Sequence, residues 1–147
     1  MKHTTLEELA DQFDAFFIDQ FGVLMDASGP YPFAVDTVKR LSEYGKPIVL
    51  ISNSGKRAKK NCDRLERLGF ELNLFTAVIT SGEVAYWTLK NKFQDDCSAT
   101  PKIYLISRDA DTSPINSLSC ETAKNTNEAD YLIIAGSESD RKPLNYY

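Results

Sequence analysis

The carboxylate of Asp19 and the hydroxyl of Ser52 are the two groups in this 147-residue chain whose types and spacing could do chemistry together. Asp19 closes the run Ala15-Phe16-Phe17-Ile18-Asp19. Ser52 closes Lys46-Pro47-Ile48-Val49-Leu50-Ile51-Ser52 and leads into Asn53-Ser54-Gly55. Both runs read as buried strands, and the carboxyl ends of strands are where open α/β sheets keep their ligands. If the two strands are parallel neighbours, Asp19 and Ser52 face one crevice. A carboxylate beside a hydroxyl and a glycine-softened turn suits a phosphoryl group. The hydroxyl and the N–H groups of that turn donate to its oxygens, and a helix opening near Lys56-Arg57 presents its positive end. Asp19 could then bind a divalent cation or attack phosphorus as a nucleophile. Spacing alone leaves a plainer reading open, in which Asp19 caps a turn and Ser52-Asn53 forms one.

Other chemistry-bearing residues offer less. Ser54-Gly55-Lys56-Arg57 lacks the spacing of a phosphate-binding P-loop. His3 is the single histidine and stands near the chain start, where a catalytic role is not expected. Tyr44, Trp87 and Phe93 lie on apolar faces and are expected in the core. Asp95-Asp96 reads as solvated linker and Lys59-Lys60 as a solvated helix face. Cys62, Cys97 and Cys120 are odd in number and form no CxxC pair, so they read as free thiols in a reducing compartment.

The elements that must position Asp19 and Ser52 follow from pattern. Thr5 and Glu8 have capping-box spacing, predicting a helix from about residue 5 to 13. Strands are expected at 15–19, 46–52 and 76–80. Between them, Val35, Val38, Leu41 and Tyr44 recur at helical spacing before Gly45, and Ala58, Cys62, Leu65 and Leu68 do so before Gly69. Ser81 is expected to cap a further helix carrying Val84, Ala85, Leu89 and Phe93. This alternation predicts an α/β chain with a parallel sheet and right-handed crossovers. Residues 94–101 mark a compositional break, with strands expected beyond it at 102–106 and 131–136.

Composition bounds the partners. A formal charge of -4 argues against nucleic acid or an anionic membrane surface. The longest apolar runs are too short to span a bilayer, and the polar first residues predict no secretory signal. A cytoplasmic location is expected, and the oligomeric state is not readable.

The ordered set Asp19-Gln20-Phe21-Gly22-Val23-Leu24-Met25-Asp26, then IVLISNSGKRA (48–58), LERLGF (65–70) and VITSGEVAYWTL (78–89), resembles the haloacid dehalogenase superfamily, most closely its subfamily IIA. The resemblance implies a Rossmann-like core over residues 1–93, followed by the start of an inserted α/β cap over 94–147. It implies a phosphatase-type hydrolase acting on a small phosphorylated substrate. Asp19 matches the nucleophile that becomes an aspartyl phosphate, Ser52 the hydroxyl that holds a phosphoryl oxygen, and Asn53 its backbone partner. Mg²⁺ would sit between Asp19 and the main-chain carbonyl of Phe21. Gly22-Val23-Leu24 would begin a flap, and Ser81-Gly82 would stand near the cap junction that helps select the substrate.

Two departures qualify that expectation. The family's phosphatases carry a second aspartate two residues after the first, as general acid and base; here the position holds Phe21. The family's later lysine and acidic pair have no counterpart in this sequence, so phosphate and Mg²⁺ are expected to bind weakly. The alternatives are therefore a hydrolase represented by its front portion, a truncated inactive remnant, or a phosphate-binding module. A phospho-accepting receiver domain fits poorly, because its acceptor aspartate lies on a middle strand and Asp19 ends the first.

Overall fold

The computed structural model describes residues 4–95 and 99–143, so His3, Cys97 and Asp96 lie outside the described residues. It divides into two compact units, Met1–Ser52 with Ala58–Ile79, and Asn53–Arg57 with Thr80–Tyr147. Each contains a three-stranded sheet.

The first unit opens with helix α1 (Leu6–Gln12), held at its start by the reciprocal Thr5–Glu8 capping box. Strand β1 (Phe16–Asp19), helix α2 (Ala34–Ser42), strand β2 (Ile48–Ser52), helix α3 (Ala58–Arg67) and strand β3 (Ala77–Thr80) follow. The sheet order is β1-β2-β3. β1 and β2 run parallel, with Phe16 opposite Ile48 and Asp19 opposite Ile51. The α/β alternation expected from the sequence is therefore present, in a Rossmann-like arrangement. Alternation along the strands sorts the residues by face. Ile48 and Leu50 are fully buried, with Phe16, Ile18 and Val78 packed against the same core. α2 contributes Val38 and Leu41, and α3 contributes Leu65. Gly45 and Gly69 follow the two helices with φ of 67° and 90°, as a C-terminal glycine cap requires.

The second unit holds helix α4 (Ser81–Asp95) and strands β4 (Lys102–Ile106), β5 (Glu121–Thr122) and β6 (Tyr131–Ile134) in the order β5-β4-β6. Both pairings are parallel. Its core gathers Phe93, Ile103 and Ile115, with Leu89, Leu105 and Ile133 packed on them. The cap of α4 is Thr80 and not the expected Ser81. Ser81 is the first helical residue, while the Thr80 hydroxyl accepts the Glu83 N–H at 3.0 Å. Phe93 is in the core as expected, but Tyr44 and Trp87 are exposed. Trp87 stays outside because its indole N–H donates to Glu83 at 2.9 Å and the Lys90 ammonium lies over its ring. Cys62 and Cys120 are free thiols, and burial pushes both upward in pKa.

Candidate active site at the carboxyl edge of the first sheet

β1 delivers Asp19 because Phe16 and Ile18 take the buried positions of the strand, which leaves Phe17 and Asp19 on the other face. The Asp19 side chain is exposed, and its Oδ1 accepts the N–H of Gln20 at 2.7 Å. That bond turns the chain as the strand ends. Gln20 is buried, and its carbonyl accepts the N–H groups of Leu24 and Met25. Leu24 and Met25 then enter the core, and Arg64 of α3 donates to the Asp26 carbonyl at 3.2 Å. The loop expected as a flap is thus anchored at its centre, with Phe21 and Val23 left exposed. The bridge between Phe21 and Met25 uses the Gly22 N–H and the Gln20 carbonyl. The Phe21 carbonyl is not one of its acceptors.

Ser52 ends β2 and is half-buried. It lies one residue beyond the partner of Asp19, so both groups stand at the carboxyl edge of neighbouring parallel strands. Pleat alternation puts Asp19 in the open-face series and Ser52 in the covered-face series. A ligand using both would span the rim of the sheet.

Asn53 begins the segment that packs with the second unit. There Ser54 Oγ accepts the Lys56 N–H at 3.2 Å, and the Ser54 carbonyl accepts the Gly82 N–H at 3.0 Å. The Thr80 hydroxyl donates to the Lys56 carbonyl at 2.7 Å. The segment runs against backbone on two sides. A Cβ on Gly55 would stand 1.9 Å from the Ala135 carbonyl oxygen, and one on Gly82 would stand 2.1 Å from the Gly55 oxygen. Arg57, expected beside a helix start facing phosphate, is committed elsewhere. Its guanidinium donates to both Glu83 oxygens at 2.7 and 2.9 Å and lies 3.4 Å from the Tyr86 ring centroid. Sequence reasoning missed this pair, since nothing in the spacing of residues 57 and 83 announces it. Two cavities of the second unit, about 230 and 150 Å³, include neither Asp19 nor Ser52 in their linings.

For a divalent cation, the residues at the edge of the first sheet offer one carboxylate and one backbone carbonyl. Among the described residues no three His, Cys, Asp or Glu side chains group to hold a metal. One carboxylate with substrate phosphate oxygens and water is a set that Mg²⁺ accepts, because it dehydrates reluctantly and keeps several waters. No helix among the described residues is long and apolar enough to cross a membrane.

Residues 16–120 match the haloacid dehalogenase-like hydrolase family. Over 54 residues the chain is 39% identical to a 4-nitrophenylphosphatase of Schizosaccharomyces pombe, a match covering 37% of this chain and 18% of that protein. Its fold is similar to that of a haloacid dehalogenase-like hydrolase from Brucella suis, with a TM-score of 0.80 at 22% identity, covering 99% of this chain and 54% of that one. It is also similar to the glycerol phosphate phosphatase of Mycobacterium tuberculosis in complex with magnesium, with a TM-score of 0.61 at 18% identity. That match covers 88% of this chain and 38% of the other. The chain thus spans about half the length of the Brucella suis relative and less of the other two.

Proposed function

The chain belongs to the haloacid dehalogenase-like hydrolases, and on that footing we propose that it carries the nucleophile half of a phosphatase site acting on a small phosphomonoester. Asp19 attacks phosphorus, the phosphorus–oxygen ester bond breaks, and the alkoxide leaves as the alcohol by taking a proton from water. The aspartyl phosphate formed is then hydrolysed by water to return the carboxylate and release inorganic phosphate. Ser52 and the Asn53 N–H donate to the phosphoryl oxygens. The Asp19 carboxylate and the Phe21 carbonyl would hold Mg²⁺, which neutralises phosphate charge when bound. Residues 1–93 form the core portion of this site, and 94–147 belong to a cap that bears on substrate choice.

The observation that carries this reading is the placement of Asp19 and Ser52 at one edge of two parallel strands. Assay of the purified chain with 4-nitrophenyl phosphate and Mg²⁺ tests it. Turnover is expected, and Asp19→Asn is expected to reduce it to background. Undiminished turnover by the Asn variant would overturn the assignment.

A second reading rests on Phe21, whose exposed phenyl ring stands where an acid–base carboxylate is expected. Such a ring transfers no proton, and losing positioned acid–base help costs roughly 10²–10⁴ in rate. On this reading the chain binds phosphate without turning substrate over. Phe21→Asp distinguishes the two: a gain of about 10²-fold in turnover supports the hydrolase. Phosphate binding that is lost in Ser52→Ala, with no turnover in either the parent or Phe21→Asp, supports the binding module.

A further inference from the structure

The first turn of α4 grips the segment that follows Ser52. Thr80 ends β3 and caps α4 with no connecting residue, so Gly82 and Glu83 stand in the first turn of the helix. The Gly82 N–H donates to the Ser54 carbonyl at 3.0 Å, and the Thr80 hydroxyl donates to the Lys56 carbonyl at 2.7 Å. A peptide unit is planar, so holding those two carbonyls fixes the planes of the 54–55 and 56–57 peptides. The approach requires glycine at 82, where a Cβ would stand 2.8 Å from the Lys56 oxygen. Glu83 completes the grip through side chains. Its two oxygens accept from Arg57 at 2.7 and 2.9 Å, in a half-buried fork. The Tyr86 ring lies 3.4 Å from the guanidinium, and the Trp87 indole N–H donates to the Glu83 oxygen that takes the longer Arg57 bond. A bidentate pair of this kind fixes angle as well as distance, which an exposed single contact does not.

We propose that Glu83 is a positioning residue of the phosphoryl-binding turn: through Arg57 it sets the conformation of residues 53–57 and so the aim of the Asn53 N–H. The assignment rests on the phosphatase reading above and adds to it a residue that acts without touching substrate. Its physical basis is preorganisation. A donor held in place before the ligand arrives loses no ordering entropy on binding, and a displacement of about 1 Å at such a group costs on the order of 10²-fold. Arg57 thereby serves the turn by its geometry, with its charge spent on Glu83 and its ring contact on Tyr86.

The test is titration of the chain with inorganic phosphate, followed by the chemical shift of the Asn53 amide, with hydrogen exchange of residues 53–57 measured alongside. Glu83→Gln keeps the shape of the side chain and gives up its charge and one acceptor. It is expected to speed exchange in the turn and to weaken phosphate binding about tenfold. Arg57→Lys, which keeps the charge and breaks the fork, is expected to weaken binding in the same direction. Ile103→Ala removes buried volume from the core of the second unit and is expected to lower stability while leaving phosphate affinity unchanged. Phosphate bound by Glu83→Gln or Arg57→Lys as tightly as by the parent would overturn the role of Glu83 and leave the phosphatase reading standing. So would an equal loss in Ile103→Ala, which would make the effect one of general stability. A parent whose Asn53 amide does not respond to phosphate would overturn both.

Discussion

The two three-stranded sheets solve one packing problem with different means. In the first unit, two helices and the loop after β1 bury Ile48, Leu50, Leu65 and Met25 together, and its ion pairs sit on the exterior. In the second unit the apolar core is smaller, one ion pair is half-buried while two others are as exposed as those of the first unit, and backbone packs closely on backbone. Arg57 is forked onto Glu83, Arg108 pairs with Asp140, and Arg141 pairs with Asp109. Buried Glu138 accepts from Lys142 at 2.5 Å, and Gly55 and Gly82 let backbone approach backbone. The difference teaches that the strand edge bearing Asp19 is held by non-directional burial, which tolerates salt and pH. The segment after Ser52 is held by directional contacts, which do not.

The contrast can be broken in order of expected effect. Ile48→Ala empties a fully buried site in the larger core and is expected to cost about 4 kcal/mol. Ile103→Ala, equally buried in the smaller one, should fall near the lower end of the roughly 2–5 kcal/mol range, because sparser surroundings collapse more easily. Urea titration followed by amide exchange in β2 and β4 measures both, and equal costs would remove the distinction between the cores. Gly55→Ala drives a Cβ into the Ala135 carbonyl and is expected to cost about 3 kcal/mol. The one tryptophan of the chain, Trp87, lies in the second unit and reports that loss by fluorescence.

Acid should separate the units without any mutation. Hydrogen bonds from Lys142, Arg108 and Arg141 hold the Glu138, Asp140 and Asp109 carboxyls below their ordinary values of 4.5, 3.8 and 3.8. A depressed folded-state pKa contributes stability that is complete above the ordinary value and is lost as pH falls through the depressed one. The segment around residues 138–142 is therefore expected to lose amide protection as pH drops below about 4.5, before β1 and β2 do. Simultaneous loss would contradict the comparison. Arg40→Ala marks the lower end: its pair with Glu7 is exposed on both sides, and its removal is expected to leave the urea midpoint unchanged.

Much of this is legible in the sequence. Thr5 and Glu8 announce α1 because a capping box is a local device, complete within four residues. The runs ending at Asp19 and Ser52 announce strands because aromatic and β-branched residues without helical period suit a pleated, buried surface. Tyr44 and Trp87 lie outside the expected core because helical spacing names a face, but not how far around the helix its cover reaches. Thr80, expected inside the third strand, is also the cap of α4, which follows without a connecting loop.

The amino-acid sequence by itself determined the four α-helices and five of the six strands, missing the short strand at Glu121–Thr122, and that a carboxylate and a hydroxyl end consecutive strands. It also determined that a phenyl ring stands where an acid–base group is expected, because residue identity needs no folding to be read. Only the tertiary structure decided that β1 pairs with β2 in a register placing Asp19 opposite Ile51, and that Arg57 serves Glu83. It also decided that residues 53–57 pack with the second unit and that Phe17 is exposed. These facts depend on contacts between residues far apart in the chain. Such contacts form only where burial and hydrogen bonding together outweigh the entropy of ordering them, and no local pattern encodes that balance.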